Sequence, residues 1–415
     1  MKGCWFSLPE TVYVSFDDPD AVMLYHTEKG HQVSSAIPKV VKLIKDVYRP
    51  ENMGVVSLND YLTDSETENF ISRLKDLGMC LTKAQVPNQP KPIYFLPILN
   101  LQNDVERLHE IGEDYMIGEN ISTYLTHAVI HLSTECDKHC PHCGLFHKQT
   151  LCCSAMEQPS AMPFEQLREL IVQLAATSVQ VIDLVGGDLR TYPHLSQLNT
   201  LIDQYQQFNW HLWQHIINEK GLSLDHVKTE VILTAPFEKT MLPEALQHDS
   251  DVRFHLLVEN GSQVEQAERM VAGIEAERCE WVPIFNGENL KFFEDNVLLS
   301  EEDILSAPIS MREIFCRQKL NTNYFGKLHF FADGTVKADV NKEAIGRFPE
   351  KRVLELVYDE LTRNTAWRRI RGGERCSVCR YRFLCPSPGN YETVIDKEDL
   401  CKVDLKSTNT EADDA

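Results

Sequence analysis

The sequence of 415 residues has no long apolar run, little positive charge and no internal repeat. No stretch approaches the roughly 18 consecutive apolar residues of a membrane helix. The start, MKGCWFSLPETVYVSF, holds one Lys and no continuous apolar stretch of the signal-peptide kind. These absences predict a cytosolic chain without a membrane span or export signal. Lys and Arg total 41 against 62 Asp and Glu, a formal charge of -21. The average field repels a phosphate backbone, so no nucleic-acid partner is expected. Apolar residues make up 43% and charged residues 25%, ordinary values for a globular chain of two to four domains.

Cysteine is not scarce: there are 13. In a cytosolic chain clustered thiols point to metal or redox chemistry before they point to disulfides. Cysteines 136, 140, 143, 152 and 153 form one group, and 376, 379, 385 and 401 another. Cys4, Cys80, Cys279 and Cys316 stand apart, and the adjacent pair Cys152 and Cys153 reads as buried or free thiols.

Residues 10 to about 85 pattern as a small α+β unit. Val12, Val14 and Phe16 alternate and, with Val22, Leu24 and Tyr25 after a DDPD turn, predict a hairpin. Two amphipathic helices follow, through Val40–Val47 and through Phe70, Ile71, Leu74 and Leu77, the second opened by Ser65-x-x-Glu68. Three prolines within Pro87–Pro92 predict an extended linker.

From residue 125 the rhythm becomes strand, helix, strand. Strands are expected at Val129–Leu132, Val179–Val185, Trp210–Ile217, Val231–Thr234, Val252–Val258 and Trp281–Phe285. About six such units predict an α/β fold with a parallel sheet, open or partly closed into a barrel. Ligands of such sheets sit at the carboxyl ends of the strands. Beyond Phe315 a hairpin (Lys327–Phe331, Thr335–Ala338) and a helix around Arg352–Trp367 lead to the second cysteine group, and the acidic tail reads as disordered.

Cys136, Cys140 and Cys143 follow a strand with the spacing C-x3-C-x2-C. Three thiolates take three corners of a [4Fe–4S] cube and leave one iron open to a small molecule. A zinc loop completed by His139, His147 or a distant cysteine is the alternative. The motif, with a ring residue (His142) before its last cysteine, resembles the radical S-adenosylmethionine (SAM) superfamily. That resemblance implies a partial (β/α)6 barrel, and SAM chelated to the open iron and cleaved to a 5′-deoxyadenosyl radical. Gly186-Gly187-Asp188, at the end of the second strand, is similar to the family's Gly-Gly-Glu motif. The resemblance implies that these three residues hold the SAM ammonium, with Asp one methylene shorter than Glu.

Cys376, Cys379, Cys385 and Cys401 give C-x2-C-x5-C plus a fourth thiolate, a closed site for either [4Fe–4S] or zinc by spacing alone. Downstream of such a barrel the pattern resembles the SPASM extension of peptide-modifying radical SAM enzymes, which implies an auxiliary [4Fe–4S] cluster. A second auxiliary site is eroded: Asp339 and Gly389 stand where cysteines are expected, and Cys316 is left over. The segment Arg382–Glu392 resembles a signature of Bacteroidetes-type SPASM proteins from peptide-modification systems. Some members of that group are pseudo-radical-SAM proteins with a degraded first motif, which this chain retains. Arg363, Arg368, Arg369, Arg371, Arg375, Arg380 and Arg382 read as helix-end and surface charge, or else as a docking patch.

The expected organisation is a winged-helix-like peptide-recognition unit (1–90), a bridging segment (91–124), the barrel (125–315), the auxiliary-cluster domain (316–405) and a tail (406–415). The expected function is radical modification of a ribosomally made precursor peptide. An electron donor, and a second maturase or a transporter of the same system, are the expected partners. A catalytically silent homologue that presents a peptide to a separate maturase is the competing class, and a zinc-stabilised scaffold a third. The residues name no general base.

Overall fold

The computed structural model describes residues 3–62, 64–97, 120–134, 147–151, 160–215, 222–238, 242, 244–363 and 365–404. Cys136, Cys140, Cys143, Cys152, Cys153 and most of the bridging segment lie outside these residues.

The N-terminal unit holds β1 (Cys4–Ser7), β2 (Val12–Ser15), β3 (Val22–His26), β4 (Gln32–Ser35), α1 (Pro38–Val47), β5 (Val56–Ser57), α2 (Ser65–Asp76) and β6 (Leu81–Ala84). Its two antiparallel sheets have the orders β5-β1-β6 and β2-β3-β4. The helices bury the expected stripes, Val40, Val41, Leu43, Ile44 and Val47 on α1 and Phe70, Ile71 and Leu74 on α2. The cap of α2 differs from the sequence expectation. Asp64, one residue before Ser65, accepts the Thr67 N–H at 2.9 Å. Its carboxylate adds a favourable charge at the positive end of the helix dipole, which a serine hydroxyl cannot.

The large sheet comprises β7 (His127–His131), β8 (Val181–Val185), β9 (Asn209–His215), β10 (Val227–Thr234), β11 (Val252–Val258), β12 (Cys279–Pro283), β13 (Lys327–Phe330), β14 (Thr335–Lys337) and β15 (Gly346–Arg347). Its order is β12-β11-β10-β9-β8-β7-β13-β14-β15, parallel from β12 through β13 and antiparallel at the last two steps. Consecutive parallel strands need crossovers. Three of these carry α3 (Phe164–Leu174), α4 (Leu195–Gln204) and α5 (Gly261–Val271). The strands β13 to β15, beyond Phe315, extend this same sheet.

Side chains alternate across a strand, and here the alternation divides the sheet sharply. One face carries Ala128, Ile130, Ile182, Leu184, Trp210, Leu212, Leu328 and Phe330, packed on Leu167, Leu170, Ile171 and Leu174 of α3 and Leu198, Leu201 and Ile202 of α4. Val231, Leu233, Phe254 and Leu256 continue it in a core shared with Ala267, Met270 and Val271 of α5. Burying each large aliphatic side chain there contributes roughly 1.5–3 kcal/mol. The opposite face is lined with titratable groups.

That polar face lies inside a curl. Gln149 donates to the carbonyl of Phe285, just past β12, while the neighbouring Lys148 N–H donates to Asn341, just past β14. Laid flat, β12 and β14 would stand seven strand spacings apart, about 34 Å. Two adjacent residues cannot bridge that gap, so the carboxyl ends of the sheet bend towards each other beneath the strap 147–151. The closure is reinforced by Phe293 of α6 (Leu290–Val297), whose ring meets Tyr391 edge-on at 5.2 Å. Among the described residues no helix is long and apolar enough to cross a membrane.

Candidate cofactor site and the polar face of the sheet

The chain enters the first cysteine motif from Thr134, at the end of β7, and returns beside that point at Ser160. Thr134 N–H donates to Ser160 O at 2.9 Å, Ser160 N–H donates back to Thr134 Oγ1 at 2.8 Å, and Met162 N–H donates to Leu132 O. The anchor sits at the carboxyl end of β7, beside the end of β8, where Leu132 N–H donates to Val185 O. Gly186 follows at φ 140°, and a Cβ built on it would lie 2.4 Å from the carbonyl oxygen of Ser133. Only glycine permits so close an approach. Gly186 therefore fits the cysteine segment's anchor to β8, three residues before Cys136.

Gly187 has φ 49°, in the left-handed region. Asp188 is buried and caps the short turn Leu189–Thr191. Its carboxylate accepts the Arg190 side chain in a fork, Nε to Oδ1 at 2.8 Å and Nε to Oδ2 at 3.1 Å, and the Arg190 backbone N–H at 3.1 Å. An ammonium arriving at Asp188 must share that carboxylate with a guanidinium. Gly186, Gly187 and Asp188 thus stand together at the end of β8 as the sequence predicts, with one of the three already engaged.

The polar face supplies what sequence reasoning missed. His127 Nε2 meets Asp183 Oδ2 at 2.6 Å, and Asp183 lies opposite His211 in the ladder. His211 Nδ1 pairs with Glu230 Oε1 at 2.9 Å, His255 Nε2 with Glu230 Oε2 at 2.8 Å, and His255 Nδ1 with Glu280 Oε2 at 2.9 Å. The row runs from β7 to β12. Trp213 stacks on the His255 ring at 4.5 Å between centroids, an arrangement that favours an imidazolium. Burial lowers the His255 pKa, but its bonds to Glu230 and Glu280 outweigh that and raise it from 6.5 to about 9. Burial raises Glu230, but His211 and His255 outweigh it and hold the carboxyl down at about 2. The signal was legible as alternation: His127-x-Val129-x-His131, Asp183 within a hydrophobic run, His211-x-Trp213-x-His215, and Arg253-x-His255. A buried parallel strand normally reads apolar at every position.

This row fixes a pH dependence of stability. The raised His255 contributes fully below pH 6.5 and loses its contribution as the pH climbs through about 9. The depressed Glu230 contributes above 4.5 and loses its contribution as the pH falls through about 2. The plateau is therefore pH 4.5–6.5. Glu230→Gln is expected to cost about 3 kcal/mol at pH 6, as expected for breaking a buried pair, and to flatten the alkaline decline. Urea midpoints of both proteins at pH 6 and pH 9 check this. Equal alkaline losses in both would rule out the pair as the cause.

Several buried nitrogens on this face have no hydrogen-bond partner among the described residues: His131 Nδ1 at the end of β7, and Trp213 Nε1 and His215 Nδ1 on β9. An unmade buried hydrogen bond costs about 1–3 kcal/mol. A polar ligand in the curl would satisfy them, so the cavity chemistry fits a polar guest.

The second cysteine group lies against the N-terminal unit. Cys379 and Cys385 share an apolar cluster with Tyr13, Met23 and Tyr25 of β2 and β3, and Cys401 packs beside it. Burial is the main cause that raises the thiols, Cys379 to about 11 and Cys385 to about 12, and the neighbouring cysteines raise both further. Cys376 is raised for the same reason, while Arg371 opposes the shift at Cys376 and Cys385. None of the four is in a disulfide. Their donor chemistry fits a closed thiolate site, and a metal binding there must displace their protons. Yet among the described residues no three His, Cys, Asp or Glu side chains are arranged to hold a metal ion. The four thiols share a neighbourhood without converging on one point. Asp339 is buried, faces Arg369 at 3.6 Å and accepts the Asn341 N–H.

Arg371, Arg375 and Arg380 make internal ties. Arg371 pairs with Glu392 at 3.0 Å, Arg380 with Asp18 of the N-terminal unit at 3.2 Å, and Arg375 Nη1 donates to Cys401 O at 3.2 Å.

No protein-family model matches the chain, and no curated protein matches it. Crystal structures of Streptococcus suis SuiB align over 95% of this chain and 97% of theirs at 12% identity. The TM-scores are 0.40 with S-adenosylmethionine bound, 0.43 with precursor peptide SuiA bound and 0.41 for SuiB alone.

Proposed function

We propose that the chain is a radical SAM enzyme that modifies a ribosomally made peptide. The observation that carries the reading is the junction of β7 and β8. There the C-x3-C-x2-C segment is anchored by Thr134 and Ser160 against Gly186, at the carboxyl edge of a curled parallel sheet. Cys136, Cys140 and Cys143 would hold a [4Fe–4S] cluster, and Gly186, Gly187 and Asp188 the amino acid end of SAM. Bound there, the pair supplies a 5′-deoxyadenosyl radical that abstracts a hydrogen atom. Cys376, Cys379, Cys385 and Cys401 would hold one auxiliary cluster. The chain's own part is to orient the guest with the polar-face nitrogens that have no partner among the described residues. The edge strand β6, with Leu81 exposed, offers a place where a peptide adds as a further strand.

The second reading, a silent homologue that presents a peptide to a partner maturase, is favoured by the Arg190 fork on Asp188. Anaerobic reconstitution separates the readings. The enzyme binds iron and sulfide, and SAM changes the paramagnetic spectrum of its reduced cluster. Zinc without sulfide, or a spectrum indifferent to SAM, contradicts it.

A further inference from the structure

We propose that His131 and His329 form a proton wire that carries a proton from a peptide group on the polar face to a solvent cavity beneath the strap 147–151. This deepens the peptide-modifying reading above and rests on it for the identity of the guest.

The two rings lie side by side on adjacent parallel strands. His131 is the last residue of β7 and His329 sits on β13, where it is paired in register with Val129. His131 Nε2 and His329 Nδ1 are 3.2 Å apart, and both side chains are buried. Phe331 stacks on the His131 ring at 4.2 Å between centroids and fixes its plane. The other nitrogen of His131, Nδ1, is buried and has no hydrogen-bond partner among the described residues. His131 itself stands beside Val185, the residue before Gly186, in the ladder. His329 lines a cavity of about 160 Å³ together with Lys148, Tyr324, Lys327 and Asn390. Among the described residues one nitrogen of the pair is thus unsatisfied, near the carboxyl end of β7, and the other ring borders the cavity.

A wire of imidazoles works only if each ring carries a single proton. Burial holds both rings neutral, with His131 pushed down to about 3 and His329 well below 6.5. The charges around them agree. Lys148 opposes protonation of His131 and Asp183 favours it, while His131, Lys327, His127 and Lys337 all oppose protonation of His329.

The step balances without electron transfer. The peptide X–H bond breaks heterolytically, its electron pair stays on X, and its proton joins His131 Nδ1. The His131 Nε2 proton passes to His329 Nδ1, and the His329 Nε2 proton passes to cavity water. Both rings begin as Nε2–H tautomers and end as Nδ1–H tautomers. After product leaves, solvent takes the His131 Nδ1 proton and the cavity returns one to His329.

His329→Gln keeps a polar group of similar reach but cannot relay a proton between two nitrogens. The reconstituted variant is expected to lower the ratio of modified peptide to 5′-deoxyadenosine by at least about tenfold. An unchanged ratio overturns the wire, as does equal loss of both products, which marks a structural role. ¹⁵N-histidine spectra of the wild-type chain give a readout independent of turnover. Both rings are expected to be neutral at pH 6 with the Nε2–H tautomer, and a cationic His131 overturns the wire. If wild-type protein releases no 5′-deoxyadenosine at all, the radical reading fails, and the spectra alone decide whether the wire exists.

Discussion

Replacing Cys140 by Ala is expected to abolish 5′-deoxyadenosine release. Three protein thiolates are the fewest that hold a cubane with one iron open, so losing one leaves two open corners. Members of a catalytic unit are non-additive, and removal of one costs nearly as much as removal of all, here on the order of 10³-fold or more. The variant should lose roughly four iron atoms per chain, with any iron bound at Cys376, Cys379, Cys385 and Cys401 unaffected. A peptide-presenting homologue behaves differently, because Cys140→Ala then leaves modification in cells unaffected. Iron content, 5′-deoxyadenosine and peptide mass in cells together distinguish the outcomes.

Gly186→Ala is the second large effect, and it acts through the backbone. The added Cβ would sit 2.4 Å from Ser133 O and 2.7 Å from Ser133 N, both main-chain atoms that cannot rotate away. The φ of 140° adds strain for any L side chain. A stability loss of about 3–5 kcal/mol is expected, at the upper end for single substitutions. Because Ser133 anchors the cysteine segment, iron uptake at the first cluster should fall with it. Gly273→Ala is the control. Its φ is 102° but a Cβ there meets nothing within 4 Å, so about 1–2 kcal/mol is expected. Urea midpoints compare the two, and equal losses would show that the contact with Ser133 does not matter.

The sequence carries the parallel sheet plainly, because most strands keep apolar residues at alternate positions for their helix layer. Val129–Leu132, Val252–Val258 and the hairpin at Lys327 and Thr335 all fall within strands of the structure or beside them. Its shape is less legible. Nothing in the local pattern says that Gln149 and Lys148 tie Phe285 and Asn341 across the sheet, since those bonds join residues 136 and 193 positions apart. The polar row from His127 to Glu280 was written into the alternate positions, but each residue taken singly is an ordinary strand histidine or carboxylate. Only the strand order places them side by side. Of the site, Gly186 packs against Ser133 at the end of β7, while the Arg190 fork on Asp188 comes from a local turn that the motif does not encode. Cys136, Cys140 and Cys143 lie outside the described residues, so their spacing is carried by sequence alone.

The central claim is that the segment anchored at Ser133 and Gly186 makes this chain cleave SAM. Its most direct test is the anaerobic, reduced and iron-loaded wild-type protein given SAM and its cognate peptide, with 5′-deoxyadenosine measured by mass. The account predicts its release in step with modified peptide. A fully loaded protein that binds the peptide and releases none contradicts it.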